Sequence, residues 1–211
     1  MAIRAVDRTY CRPTLMRADR FTALIDANVL AGALTRNVVL SLADAGFYRA
    51  RWSADILDEM ERAIARMLEA KGDPDPSGRA RRHRAAVERA FPEGTVEGFG
   101  ALTVELDLPD PNDRHVLAAA IKVGAQVIVT ENAKDFPDQM LGPYGIERRS
   151  ADGFIADAID LDPAGAVEAL RHMRRRLKRP DIDPPTLILK LEAVGLVETA
   201  NLLLGDIGNL E

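Results

Sequence analysis

Two short apolar runs constrain this chain more than any other feature. Residues 21–26 read FTALID and residues 126–130 read QVIVT; neither alternates polar with apolar side chains. A continuous apolar run of this length, ending abruptly on a polar residue, is the pattern of a parallel strand buried on both faces. Residues 48–52 and 146–149 are read as two further strands, and 101–106 as a short edge strand. Helical patterns fill the intervals. They cover 28–34, then 38–45 with Asn37 as cap and Gly46 as stop. Ser53 caps a long helix in which Ile56, Met60, Ile64 and Met67 recur at helical spacing. Residues 72–76 (GDPDP) break it before an arginine-rich helix over 78–90. A loop at 108–112 feeds a helix over 113–123 that Gly124 stops, 131–136 is a loop, and Ser150 starts a further helix. Alternating strands and helices predict an α/β fold: a three-layer sandwich with a central parallel sheet. In such sheets, sites form at the carboxyl ends of the strands.

The 211 residues allow one domain of ordinary size and an extension. Residues 1–20 hold five arginines and little periodicity, and are read as a loose arm; Met16 is an alternative start to Met1. Residues 21–150 form the α/β domain, and 151–211 a helical extension packed on it. Asp162-Pro163 and Asp183-Pro184 mark helix starts there, predicting helices over 163–178 and 185–204. No run approaches the roughly 18 apolar residues of a membrane span, so no membrane partner is expected. The N-terminus lacks the apolar stretch of a secretory signal. The lone Cys11 excludes an internal disulfide and a cysteine zinc site, so a reducing cytoplasm is the simplest home. A net charge of −5 argues against a protein that coats nucleic acid, and confines any RNA-facing surface to a local patch.

Four acids recur at strand ends and helix starts. Asp26 follows the first strand, Glu59 lies early in the helix after Trp52, Asp113 opens the helix DRHVLAAAI, and Asp135 sits just past QVIVT. Taken singly, Asp113 and Glu59 read as capping or solvated groups, and Asp135 as a turn residue. Asp26 is harder to dismiss, because a lone charge at the end of a buried strand is costly. Several carboxylates on one sheet edge repel unless a cation sits among them, and hard cations take oxygen ligands.

The order TALIDANVL, WSADILDEM, DPNDRHVLAAAIKVGAQVIVTENAKDFP resembles the PIN-domain family over residues 21–150. On that resemblance Asp26, Glu59, Asp113 and Asp135 occupy the four acidic positions, while Asn28, Thr130 and Asn132 support them. Asp55, Asp58 and Glu61 are neighbours that could replace Glu59, and Asp110 is an extra acid that either joins the site or shapes the Asp-Pro turn. The resemblance implies a sheet of four or five parallel strands, one or two Mg2+ or Mn2+ ions held by Asp26, Asp113 and Asp135, and RNA phosphodiester hydrolysis. It is closest in type to the longer VapC-like toxins, which implies a cognate antitoxin and a homodimer. Three other readings are a non-catalytic PIN-fold module binding RNA or protein, a phosphatase that forms an aspartyl-phosphate, and a signalling receiver domain, whose acidic pair ahead of the strand-end Asp is missing here. The second wants an acid where Asn28 stands.

The remaining features are the charged and apolar clusters. Arg171, Arg174, Arg175, Arg176, Lys178 and Arg179 put six cations in nine residues. They read equally as RNA phosphate contacts or as a solvated helix end. Arg79, Arg81, Arg82 and Arg84 read as a solvated face. His83 and His172 are surface residues, and His115 is read first as packing. The apolar stretch 186–204 suits a helix pair, with a dimer or antitoxin surface as the second reading.

Overall fold

The structure, a computed structural model, describes residues 21–177 and 181–210. The N-terminal arm with Cys11 and Met16, and Lys178 and Arg179, lie outside the described residues. The sheet domain runs β1 (Thr22–Ile25), α1 (Ala27–Ala31), α2 (Ala33–Ala45), β2 (Arg49–Ser53), α3 (Ala54–Ala70), α4 (Pro76–Ala90), β3 (Thr95–Val96), α5 (Gly100–Glu105), α6 (Arg114–Val123), β4 (Val127–Val129), α7 (Asp138–Leu141) and β5 (Glu147–Arg149). After it come α8 (Ala151–Leu161), α9 (Pro163–Arg176), α10 (Pro184–Ala193) and α11 (Val197–Leu204).

The five strands lie in the order β3-β2-β1-β4-β5, and every pair is parallel. The chain builds outward from β1 to one side, then returns to lay β4 against its other side. The carboxyl ends of β1 and β4 therefore flank the crevice where the winding reverses, the usual seat of a site in an open α/β sheet. Ile25 pairs with Val129, so Asp26 and Thr130 leave the sheet side by side. Both central strands are buried, as their unbroken apolar runs required: Ala23, Leu24, Ile25, Ile128 and Val129 are all fully shielded.

Local chemistry sets the helix ends. The Ser53 hydroxyl accepts from Ile56 N–H and caps α3. Asp75, Asp162 and Asp183 cap α4, α9 and α10, each followed by proline. Gly46 and Gly124 end α2 and α6 in the left-handed region, at φ +90° and +62°.

Two expectations need correction. Residues 101–106 form most of a helix, α5, rather than an edge strand. A strand would bury Leu102, Val104 and Leu106 together; instead Val104 is exposed, and Leu102 and Leu106, four apart, face inward. The edge strand is β3, only two residues long. Asn37 caps nothing: α2 runs unbroken from Ala33, and the break from α1 falls at extended Gly32. The helix pair expected over the apolar stretch 186–204 is present as α10 and α11, which Gly195 separates at φ +89°.

The helices after β5 pack on the sheet domain. Tyr48 and Phe154 meet edge-to-face at 4.7 Å, and α9 lies along α2. Asp152 of α8 caps α11, accepting from Glu198 N–H (2.8 Å) and Thr199 N–H (2.9 Å). Among the described residues, no helix is long and apolar enough to cross a membrane.

Candidate metal centre

Asp26 ends β1 and begins α1, and its carboxylate is almost fully spent on its surroundings. Oδ1 accepts from Ala27 N–H (2.6 Å); Oδ2 accepts from the Thr130 hydroxyl (2.6 Å) and Asn28 Nδ2 (2.7 Å). Burial pushes its pKa up, while the Thr130 and Ala27 hydrogen bonds pull it back. Asn28 also donates to Thr130 Oγ1 (3.0 Å) and accepts from Glu131 N–H (3.2 Å). Asn132 N–H donates to Thr130 Oγ1 (3.0 Å), and Asn132 Nδ2 to Asp113 Oδ2 (3.3 Å). Asn28, Thr130 and Asn132 thus lace the β1 and β4 ends together and reach across to the start of α6.

Asp113 is the most perturbed acid. Its pKa is raised to about 6, first by burial, then by the neighbouring charges of Asp26, Asp110, Asp135 and Glu59. All four acids singled out in the sequence, and Asp110 with them, therefore act on one locus. Asp110, Asp113 and Asp135 each bring a carboxylate oxygen within 4.8 Å of the others. Three oxygens at that spacing, with no lysine or arginine paired to them among the described residues, suit a hard divalent cation bound by carboxylates and water. Asp110 thereby moves from turn residue to ligand candidate, although its Oδ1 also accepts from Asn112 N–H (2.9 Å) and Nδ2 (3.0 Å). Asp26 is buried and lies outside that trio, its oxygens already hydrogen-bonded.

Glu59 reaches the site from α3, where His115 Nε2 meets its Oε1 at 3.3 Å. Residues 59 and 115 sit on different helices, so nothing in the local sequence announced that contact. Glu131 was also missed: its Oε1 accepts from Ala151 N–H (2.9 Å), joining the loop after β4 to α8.

The arginine clusters look different in place. Arg79 and Arg82 pair with Asp73 and Asp75, and Arg84 with Asp58, Glu61 and Glu88, as suits a solvated face. In the second cluster Arg171 pairs with Glu168, one turn earlier. Arg174 donates to the carbonyls of Leu210 (2.7 Å) and Ile182 (2.9 Å), and Arg176 to Ser41 Oγ (3.0 Å). Two of the four thus hold the tertiary structure.

The parallel five-stranded sheet and its acidic edge make an α/β domain with a candidate cation site at the ends of its central strands, and the chain belongs to the PIN-domain family. The family model described as PIN domain matches residues 22–134. A second model, described as the VapC50 C-terminal domain, matches residues 151–205. The Mycobacterium tuberculosis protein named "Putative ribonuclease VapC50" is 45% identical over 73 residues, a match spanning 35% of this chain and 41% of that relative. No solved structure matches the chain.

Proposed function

We propose that this protein is a metal-dependent endoribonuclease and the toxin of a toxin–antitoxin pair, acting in the cytoplasm. The observation that carries the reading is the convergence of Asp110, Asp113 and Asp135 within 4.8 Å, with Asp26 and Glu59 adding their charge to the same locus. Asp113 and Asp135 would hold a Mg2+ or Mn2+ ion, with Asp110 or Asp26 completing the set. Such an ion supplies neutralisation of phosphate charge and a water of lowered pKa. The protein's own part is to aim these carboxylates through the Asn28–Thr130–Asn132 network and to leave the crevice open to a single strand. The 45% identity to a protein whose name carries the word ribonuclease supports RNA as the substrate. Phosphate contacts are assigned to the α9 face, to Arg171, Arg174, Arg175 and Arg176. A cognate antitoxin and a homodimer complete the reading.

The test is to incubate purified protein with total RNA, with Mn2+ or with EDTA, and to map the new 5′ ends. Cleavage that needs Mn2+ and disappears in Asp113→Asn is the expected result. Cleavage unchanged in EDTA, or retained by Asp113→Asn, overturns the site.

A further inference from the structure

Of the four acids, Glu59 is the least fixed by the backbone. Asp26 stands at a strand end, Asp113 at a helix start and Asp135 in the turn after β4, whereas Glu59 extends from within α3 on a long, rotatable stem. It has two partners. Arg62 stands 3.9 Å away on the same helix with its side chain 63% exposed; His115 Nε2 stands 3.3 Å away on α6 and is 13% exposed. His115 is the nearer and the more shielded of the two. The Glu59 contact is also His115's sole hydrogen bond among the described residues, for Nδ1 is buried with no partner. A ring kept only for packing is poorly explained by an unpaired buried nitrogen, which an apolar side chain of similar size would avoid.

We propose that His115 is a positioning residue: its Nε2–H donates to Glu59 Oε1 and holds that carboxylate toward Asp26 and Asp113. The inference deepens the nuclease reading and rests on it for its kinetic arm. Asp113 and His115 are two residues apart on one helix end, so α6 supplies one acid directly and aims another that arrives from α3. Partners that orient a site carboxylate typically change affinity or activity about 10- to 100-fold when removed.

The experiment is a double-mutant cycle with a conservative rescue. His115→Leu removes the donor at similar volume, and His115→Gln restores an N–H near the Nε2 position. Expected is a kcat about tenfold lower or more for His115→Leu with KM little changed, and a value near wild type for His115→Gln. In a Glu59→Ala background His115→Leu should cost nothing further, since its target is gone. A second readout uses the metal-free protein: the His115 imidazole 15N resonances should move in Glu59→Ala, while those of His83 and His172 stay. Full activity in His115→Leu, or a loss that multiplies with that of Glu59→Ala, overturns the proposal, and so does an unmoved His115 signal. If His115→Leu does not fold, the glutamine variant and the resonance shift decide. The resonance arm does not depend on RNA cleavage, so failure of the nuclease reading and failure of this one are told apart.

Discussion

Replacing Asp113 with asparagine should stabilise the metal-free protein while abolishing its response to metal. Asp113 is partly exposed, is crowded by Asp26, Asp110, Asp135 and Glu59, and has its pKa lifted to about 6 from an ordinary value near 4. Two pH units at 1.36 kcal/mol each give about 3 kcal/mol of unfavourable ionisation at pH 7 as an upper bound. Solvent screening of a group this exposed cuts that to about 1 kcal/mol. Asparagine keeps the shape and removes the charge, so the metal-free Tm should rise by about 2–4 °C for a chain of this size. The pH dependence has a definite sign. The folded state holds this proton more tightly than the unfolded chain, so the penalty is absent well below pH 4, grows as pH rises, and is complete above about 6. The advantage of Asp113→Asn should therefore be smaller at pH 5 than at pH 7.5. Metal inverts the order: an ion at a hundredfold excess over its Kd stabilises the wild type by about 2.7 kcal/mol, and the variant by far less. Thermal melts in EDTA and in millimolar Mn2+, at both pH values, measure all of this. A variant no more stable than wild type in EDTA, or one that keeps the full Mn2+ shift, would refute the argument that these carboxylates crowd around a cation site.

Three further outcomes follow from named contacts. Thr130→Val deletes the hydroxyl that bonds Asp26, Asn28 and Asn132; urea unfolding should show a loss of about 1–3 kcal/mol, and RNA cleavage should fall with it. Arg174→Met leaves the Leu210 and Ile182 carbonyls without their donor and should lower stability by about 1–3 kcal/mol, while the Mn2+-induced Tm shift stays as in wild type. Arg171→Ala with Arg175→Ala should weaken binding of unrelated single-stranded RNAs alike and flatten the slope of log affinity against log salt by about 1.4; an unchanged slope moves the RNA path off α9.

How far the sequence could be read depended on how each residue finds its partners. β1 and β4 were legible because a strand buried on both faces must be apolar throughout, and Asp26 and Thr130 mark where that burial ends. β3 was not, because Thr95 and Val96 are too few to show a period, and the Val and Thr of α5 mimicked a strand. The helix pair over 186–204 was legible in its apolar pattern, and Gly195, in the left-handed region, marks where the two helices part. Asp26, Asp113 and Asp135 could be found from their places at element ends. The 3.3 Å meeting of His115 with Glu59 is set by how α3 and α6 pack, and no short-range pattern encodes that. The arginines of α9 show the opposite failure: their density stood out, but the carbonyls that occupy Arg174 lie 36 and 8 residues further along the chain.

The reversal of winding between β1 and β4 also sets a timetable. Asp26 and Thr130 are 104 residues apart and meet only across that strand pair, and pairing between such distant parallel strands is intrinsically late in folding. A ribosome making this chain releases Asp26, then Glu59, then Asp113, long before β4 can close the crevice and bring Asp135 to it. On the proposed function, the nascent chain would therefore hold no complete site until β4 has paired with β1. A truncated product ending before residue 127 would carry three of the four acids and no means of assembling them.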